Sequence, residues 1–214
     1  MDEDIAIINS NTRNERIKKF FLNNKKKFLA TIISFIILIL SLYLYQIYEN
    51  KNRLQLSEKY NSAIIEYNKI EKQKTISTMK EIIKNKDSTY SPLALYFLLD
   101  NSLIDNKEEI NNLFDEIIVK TSLEKEIKNL IIYKKALYNA NFVDEKELLE
   151  ILKPIIQSES IWKSHGLYLV AEYFYSKNEK QKSKEFYEKI ISTSNANKDL
   201  ILEAQKRLIR DLSD

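Results

Sequence analysis

The side chains that most often carry out catalysis or bind metals are scarce in this chain. Its 214 residues include one histidine, His165, one glycine, Gly166, and no cysteine. Without cysteine or a second histidine, the sequence cannot form a thiolate zinc site, an iron–sulfur cluster or an H-E-x-x-H site. A lone histidine is far more often a packing or surface residue than a catalyst. We therefore expect no metal cofactor and no catalytic role for His165.

The single glycine also argues against nucleotide-binding loops. A P-loop, a G-x-G-x-x-G turn and a G-x-S-x-G elbow each need at least two glycines, because only glycine lets the backbone approach a phosphate or hold such strained turns. With one glycine and two prolines, the chain is also poor in the residues that tight β-turns use. The composition predicts an all-α protein with no cofactor and no small-molecule substrate.

Two acidic residues, Glu172 and Glu185, are the candidates for acid–base chemistry in a helical pocket. Residues 1–48 hold seven of the 34 Lys and Arg and four of the 31 acids, which leaves 27 of each in the rest of the chain. One pair of acids among 27 is weak support for an enzyme, which is therefore the less favoured alternative. The same neutrality argues against a nucleic-acid partner, because such partners bind surfaces with an excess of basic charge.

The longest uncharged segment covers residues 28–48 and reads FLATIISFIILILSLYLYQIY. As a helix, its 21 residues would extend about 31 Å, which is close to the thickness of a bilayer's hydrocarbon core. Three lysines, Lys25, Lys26 and Lys27, precede the segment, and three tyrosines lie near its end, as is typical of membrane anchors. We predict a single transmembrane helix over residues 28–48.

The distribution of Lys and Arg predicts the orientation of this helix. Seven of them precede the segment, and only three, Lys51, Arg53 and Lys59, follow it within about twenty residues. Residues 1–27 are therefore predicted to be a cytosolic basic tail, in which Lys25, Lys26 and Lys27 fix the topology and meet anionic lipid head groups. No small-x-small cleavage site follows the segment, so it is predicted to be an uncleaved signal anchor.

The remainder, residues 49–214, shows apolar residues at three- and four-residue spacing, which predicts helices throughout. The spanning helix is predicted to continue to about residue 71. Later helix starts are predicted at Ser91 before Pro92, at Ser122, at Asp144 and at Ser160. Pro154 is predicted to kink its helix or to end it at residue 153.

The spacing of these starts suggests repeated helix pairs. Ser91 and Ser122 are 31 residues apart, and Ser122 and Ser160 are 38 apart, near the 34 residues of a tetratricopeptide repeat. The best copy covers residues 167–195, with small residues where two helices must approach and aromatic residues where they interlock: Ala171, Ser183, Phe174 and Tyr187. We predict a tetratricopeptide-like helical-pair solenoid, capped by a last helix around Ala204.

This order of parts resembles the YfgM-like proteins, ancillary subunits of the SecYEG translocon whose tetratricopeptide-like domain is also described with CpoB. The likeness is carried by residues 16–21 and 25–27 leading into residues 28–48, and by residues 90–95 and 165–191. The resemblance implies a non-enzymatic helper in the bacterial inner membrane, with residues 49–214 in the periplasm. Its implied partners are translocon subunits, chaperones or exported proteins, and no partner-binding residue is assigned.

Three functions are thus compatible with the sequence. The first is a membrane-anchored protein-interaction module, and the second is a structural scaffold of another cell-envelope machine. The third is an envelope enzyme or lipid-handling protein with a helical pocket, which would depend on acids such as Glu172 and Glu185.

Overall fold

The computed structural model describes residues 2–67 and 72–212, with side chains from residue 18 onward except that of residue 21. The described residues form nine helices and contain no strand, which confirms the all-α prediction. The helices are α1 (Asp2–Tyr67), α2 (Lys72–Lys84), α3 (Tyr90–Asp100), α4 (Lys107–Lys120), α5 (Lys125–Asn139), α6 (Glu145–Ile156), α7 (Lys163–Ser176), α8 (Lys180–Ser192) and α9 (Lys198–Asp211). The chain divides into two compact units, Met1–Gln55 and Leu56–Asp214.

The apolar segment predicted to cross the membrane is exposed from residue 29 to residue 48, and Phe28 is half-buried. Among the described helices, only the stretch Leu22–Tyr67 is long and apolar enough to cross a bilayer, and its apolar window is not buried within the protein. The Thr31 and Ser41 hydroxyls donate to the carbonyls of Lys27 and Ile37, four residues earlier. These two hydroxyls are thus satisfied by the backbone of their own helix. The helix is compatible with a single-pass membrane anchor.

Helix starts recur at a regular spacing in the second unit. The even-numbered helices α2, α4, α6 and α8 begin at positions 72, 107, 145 and 180, so the steps between successive starts are nearly equal. The odd-numbered helices α3, α5, α7 and α9 begin at positions 90, 125, 163 and 198 and repeat the same steps. Each odd-numbered helix therefore starts at a constant distance along the chain from the start of the even-numbered helix before it.

Burial follows the same repeat. In each even-numbered helix the fourth, eighth and eleventh residues are buried, a spacing that places all three on one helical face. These residues are Thr75, Met79 and Ile82 in α2; Ile110, Phe114 and Ile117 in α4; Leu148, Leu152 and Ile155 in α6; and Ser183, Tyr187 and Ile190 in α8. Four helices with different sequences thus bury equivalent positions.

Contacts between helices are mostly local in the chain. Each helix from α2 to α8 packs against the next, and α2 also contacts α4, α5 contacts α7, and α7 contacts α9. Gly166 lies at the crossing of α7 with α6, where an added Cβ would meet Ile156 Cγ2 at 3.2 Å. The only glycine in the sequence therefore allows two helices to approach closely.

The helix starts differ in part from those predicted. Asp144 does cap α6, because its carboxylate accepts from the Glu147 amide at 2.8 Å. Ser91 instead lies inside α3, and its hydroxyl donates to the Ile82 and Ile83 carbonyls. The Asp87 carboxylate accepts the amides of residues 89 and 90 in its place. The free amides at the N-terminus of α3 are therefore capped by the Asp87 carboxylate, and not by the Ser91 hydroxyl as predicted.

Two further predicted starts, and one predicted helix end, lie elsewhere in the structure. Ser122 precedes the first residue of α5 by three positions, and Ser160 lies in the turn before α7. Helix α6 continues past Pro154 to Ile156, so the predicted end at residue 153 is wrong. Pro154 is exposed, and water can therefore solvate the backbone carbonyl that a proline leaves without its amide partner. The predicted extension of α1 over residues 68–71 lies outside the described residues.

Left-handed turns end two of the odd-numbered helices without glycine. Ser102 has φ 48° after α3, and Asn178 has φ 61° after α7. In the first turn, the Ser102 and Leu103 amides donate to the Leu99 and Leu98 carbonyls at 3.0 and 2.9 Å. This is the hydrogen-bond pattern of a Schellman motif, in which glycine usually occupies the left-handed position.

Candidate functional site

The four residues predicted to pack the best repeat copy lie where α7 meets α8. Ala171, Phe174, Ser183 and Tyr187 are all buried. The Ser183 hydroxyl donates to the Ala171 carbonyl at 2.9 Å, so the two helices approach closely at these small residues.

The three lysines predicted to determine the topology, Lys25, Lys26 and Lys27, are exposed and lie directly before the apolar segment.

Glu172, one of the two candidate catalytic acids, belongs to a charge cluster with α8 and α9. Its carboxylate accepts from the Tyr187 hydroxyl and from Arg207 Nη2, the latter at 2.6 Å. Arg207 also donates to Asp211 at 2.9 Å, and Arg210 donates to the same carboxylate. Hydrogen bonds from Arg210 and Arg207 hold the pKa of Asp211 well below its usual range. Burial and the Glu172 carboxylate raise the pKa of Tyr187.

These contacts indicate that the charge cluster has a structural role. The carboxylate of Glu172 is already paired with a cation and a hydroxyl, so it is not a free general base. Glu185 is exposed, and the described contacts do not join it to Glu172. Among the described residues, no three His, Asp or Glu side chains are grouped so that they could hold a metal ion. The cluster fastens α9 onto α7 and α8.

His165 lies in a small aromatic cluster. Its ring centroid is 5.0 Å from that of Trp162 and 5.8 Å from that of Tyr133, and the Trp162 and Tyr133 rings stack at 6.0 Å. Burial lowers the pKa of His165. Trp162 and His165 lie at the start of α7 and Tyr133 lies on α5, so the cluster joins these two helices.

A groove separates α3 from α5. Side chains of α3 and α5 belong to the same hydrophobic cluster, but the two helix backbones approach each other less closely than those of α7 and α9 do. Two clefts, each of about 430 Å³, lie in this groove and share Tyr96. The first is lined by Ser88, Thr89, Pro92, Leu93, Tyr96, Ser122, Leu123, Glu124, Ile127 and Leu130, and the second by Tyr96, Leu99, Asp100, Ser102, Ile104, Asp105, Lys107, Ile110, Lys134, Leu137, Tyr138 and Phe142.

The groove exposes apolar side chains from both of its walls. The exposed fractions are 38% for Leu93, 42% for Ile127, 50% for Leu137 and 52% for Phe142. Between the clefts, the Tyr96 hydroxyl is buried and has no hydrogen-bond partner among the described residues, and burial raises its pKa to about 12. Exposed apolar side chains that line a cleft and are rimmed by polar residues often mark interaction sites.

Charged side chains surround the groove. Lys134 Nζ lies 4.8 Å from the centre of the Tyr96 ring, and Lys107 Nζ lies 3.4 Å from that of Phe142. Asp100 and Asp105 border the second cleft and Glu124 borders the first. All three carboxylates are exposed, and none forms an ion pair within the described part of the chain.

Sequence reasoning did not find this groove. A readable signal does exist, because the step from the start of α5 to that of α6, from position 125 to 145, is three positions longer than its counterparts. Those counterparts run from 90 to 107 and from 163 to 180. The longer stretch carries Leu137, Tyr138 and Phe142, which form one wall of the second cleft.

Comparison with protein-family models, with curated proteins and with solved structures finds no match for this chain.

Proposed function

We propose that this chain is a membrane-anchored, non-enzymatic module that binds other proteins through a tetratricopeptide-like helical solenoid. The observation that carries the proposal is the repeat of buried positions in α2, α4, α6 and α8, which begin at positions 72, 107, 145 and 180. Stacked helix pairs of about 34 residues form extended surfaces that commonly bind proteins. The exposed apolar helix supports membrane attachment, which would raise the local concentration of the module.

A second observation supports the solenoid at its two ends. The Thr75 hydroxyl donates to the Ala63 carbonyl at 3.4 Å, and the Ser183 hydroxyl donates to the Ala171 carbonyl at 2.9 Å. In both bonds the acceptor lies twelve positions before the donor. Both donors are also the fourth residue of an even-numbered helix, α2 in the first case and α8 in the second. The last turns of α1 would therefore form the first helix of a stack of four pairs, with α9 as its cap.

The proposed location follows from charge and from the resemblance stated above. The excess of Lys and Arg before the anchor supports a cytosolic N-terminus in the bacterial inner membrane and a periplasmic helical domain. The resemblance to YfgM-like proteins supports translocon subunits, periplasmic chaperones or exported chains as partners.

Photocrosslinking in the native membrane tests this function. A photoreactive amino acid at Tyr48 or Leu54, which are both exposed, should form products with translocon subunits. The same amino acid at exposed positions of the helical domain, such as Phe142, should capture chaperones or exported chains. Placement at the fully buried Phe114 is the control and should give no intermolecular product. Failure to capture any protein, together with a catalytic turnover lost in Glu172→Gln or Glu185→Gln, would support an enzyme instead.

A further inference from the structure

We infer that the groove between α3 and α5 binds a helical peptide segment with two large apolar side chains about two turns apart and basic residues at both ends. The inference rests on the proposed protein-binding function and adds to it a surface and a partner chemistry.

The spacing of the clefts defines the apolar part of this segment. Leu93 lines the first cleft and Leu99 the second, and six residues of helix separate them by about 9 Å. On a bound helix, residues seven apart lie on one face and are separated by about 10 Å. In a strand, residues three apart cover a similar distance but point to opposite faces. A helix therefore fits the two clefts better than an extended peptide.

The exposed apolar area explains why a partner would stay bound. Leu93 and Ile127 flank the first cleft, and Leu137 and Phe142 flank the second. Each is at least 38% exposed in the free protein. Burial of such side chains against an apolar helix face removes them from water, which is the main driving force of helix-in-groove recognition.

Charge complementarity defines the ends of the segment. Glu124 lies at the first cleft, and Asp100 and Asp105 lie at the second, so both ends of the groove carry exposed carboxylates without an ion-pair partner in the described residues. The two lysines of the groove are instead held over the rings of Tyr96 and Phe142. Lys or Arg at both ends of a bound helix would face these carboxylates, whereas acidic residues would be repelled.

Fluorescence anisotropy with the full-length protein in phosphatidylcholine nanodiscs tests the inference. The probe is a fluorescein-labelled helical peptide with two leucines seven residues apart and a pair of lysines at each end. We expect saturable binding that weakens at least about tenfold when the leucines become alanines or the lysines become glutamates. Empty nanodiscs give the background due to lipid.

Matched variants locate the binding surface. Leu137→Asp should weaken binding of the probe about tenfold, whereas Val119→Asp, on an exposed position outside the groove, should change it less than about twofold. Asp100→Asn combined with Asp105→Asn should reduce the preference for lysine ends. Thermal melts followed by circular dichroism verify that each variant is folded.

Three results would overturn the inference: no binding of the probe, equal binding of the glutamate peptide, or equal effects of Leu137→Asp and Val119→Asp. A self-association that Leu137→Asp abolishes would place a second copy of this chain in the groove and would also overturn it. If Leu137→Asp leaves the crosslinked partners of the helical domain unchanged, the groove inference fails while the protein-interaction proposal stands.

Discussion

Small side chains determine where the helices of this protein can meet. Ser183 is fully buried, and its hydroxyl fills the space beside the Ala171 carbonyl. A longer side chain at this position has no free volume to enter, because protein interiors are packed as densely as organic crystals.

We therefore expect Ser183→Leu to lower the free energy of unfolding by about 1–3 kcal/mol. The control is Ser192→Leu, since Ser192 belongs to the same helix but is exposed. Denaturant titrations of both variants measure the difference, and equal midpoints would contradict the packing described for Ser183.

The role of a residue could be predicted when the residues that determine it lie nearby in the sequence. Ala171 and Ser183 were predictable because they occupy the small-residue positions of the tetratricopeptide pattern, all of which lie within residues 167–195. Tyr96 gave no such signal, because a tyrosine at helical spacing looks the same whether it packs in a core or separates two clefts. Its surroundings depend on Ile127 and Lys134 of α5, which lie beyond the whole of α4 in the sequence.

With one glycine in the sequence, left-handed positions at helix C-termini are occupied by other residues. Ser102 adopts a left-handed conformation at the end of α3, which places the Cβ of a non-glycine residue too close to the backbone.

We expect Ser102→Gly to raise the free energy of unfolding by about 1 kcal/mol, because glycine adopts this conformation without the steric penalty. Ser158→Gly provides the comparison, since Ser158 follows α6 and has no positive φ. That second change should be neutral or destabilising. Thermal melting of both variants decides the point, and a lower melting temperature for Ser102→Gly would refute the expectation.

The last helix, α9, depends on charge for its attachment. Asp211 accepts hydrogen bonds from Arg207 and Arg210, and Arg207 reaches across to Glu172 on α7. Because the pKa of Asp211 is lowered on folding, its contribution to stability is complete above the unfolded pKa of about 3.9. That contribution is lost as the pH falls through the lower pKa of the folded state.

We accordingly expect the wild-type protein to lose more stability between pH 6 and pH 2 than Asp211→Asn does. Unfolding by urea at a series of pH values measures this difference. Asp199→Asn is the control, since Asp199 lies at the exposed N-terminal end of the same helix. Parallel pH profiles for wild type and Asp211→Asn would show that Asp211 does not fasten α9.

Helix existence was predictable from periodicity, but helix starts were less so. Asp144 was recognised because its carboxylate caps the helix that directly follows it. Ser91 was misassigned because Asp87, three positions before the first residue of α3, accepts the free amides. The regular steps between helix starts emerge only once these starts are corrected.

Two features of the chain determine the proposed membrane attachment and orientation: one apolar helix, and the unequal number of Lys and Arg residues on its two sides. Seven Lys and Arg precede residues 28–48 and three follow closely, so the proposed orientation depends on a difference of four.

We expect alkaline phosphatase fused after Asp214 to be active and a cytosol-dependent fluorescent reporter at the same site to be dark. Replacement of Lys25, Lys26 and Lys27 by glutamine leaves four basic residues before the segment against three after it, and should give a mixture of orientations. Glutamine at three basic residues of the helical domain, remote from the anchor, should leave the orientation unchanged. Activity of the cytosolic reporter in the unaltered protein would show that the C-terminus lies in the cytosol and would contradict the proposed orientation.

The constant step from each even-numbered helix to the next odd-numbered one has a consequence for changes in chain length. The distance between the two starts is the same in all four cases: 72 and 90, 107 and 125, 145 and 163, and 180 and 198. The distance from an odd-numbered helix to the next even-numbered one is not constant, because the step from 125 to 145 is longer than those from 90 to 107 and from 163 to 180. Insertions and deletions are therefore expected to be tolerated in the turns after α3 and α5, but not in the turn after α7, because α7 and α8 approach closely at Ala171 and Ser183. In the turns after α2, α4, α6 and α8, the same change would have to displace one of two closely packed helices. The turns after α3 and α5 both carry residues of the second cleft, such as Asp105 and Phe142, so a fluorescent label inserted there would lie beside the groove.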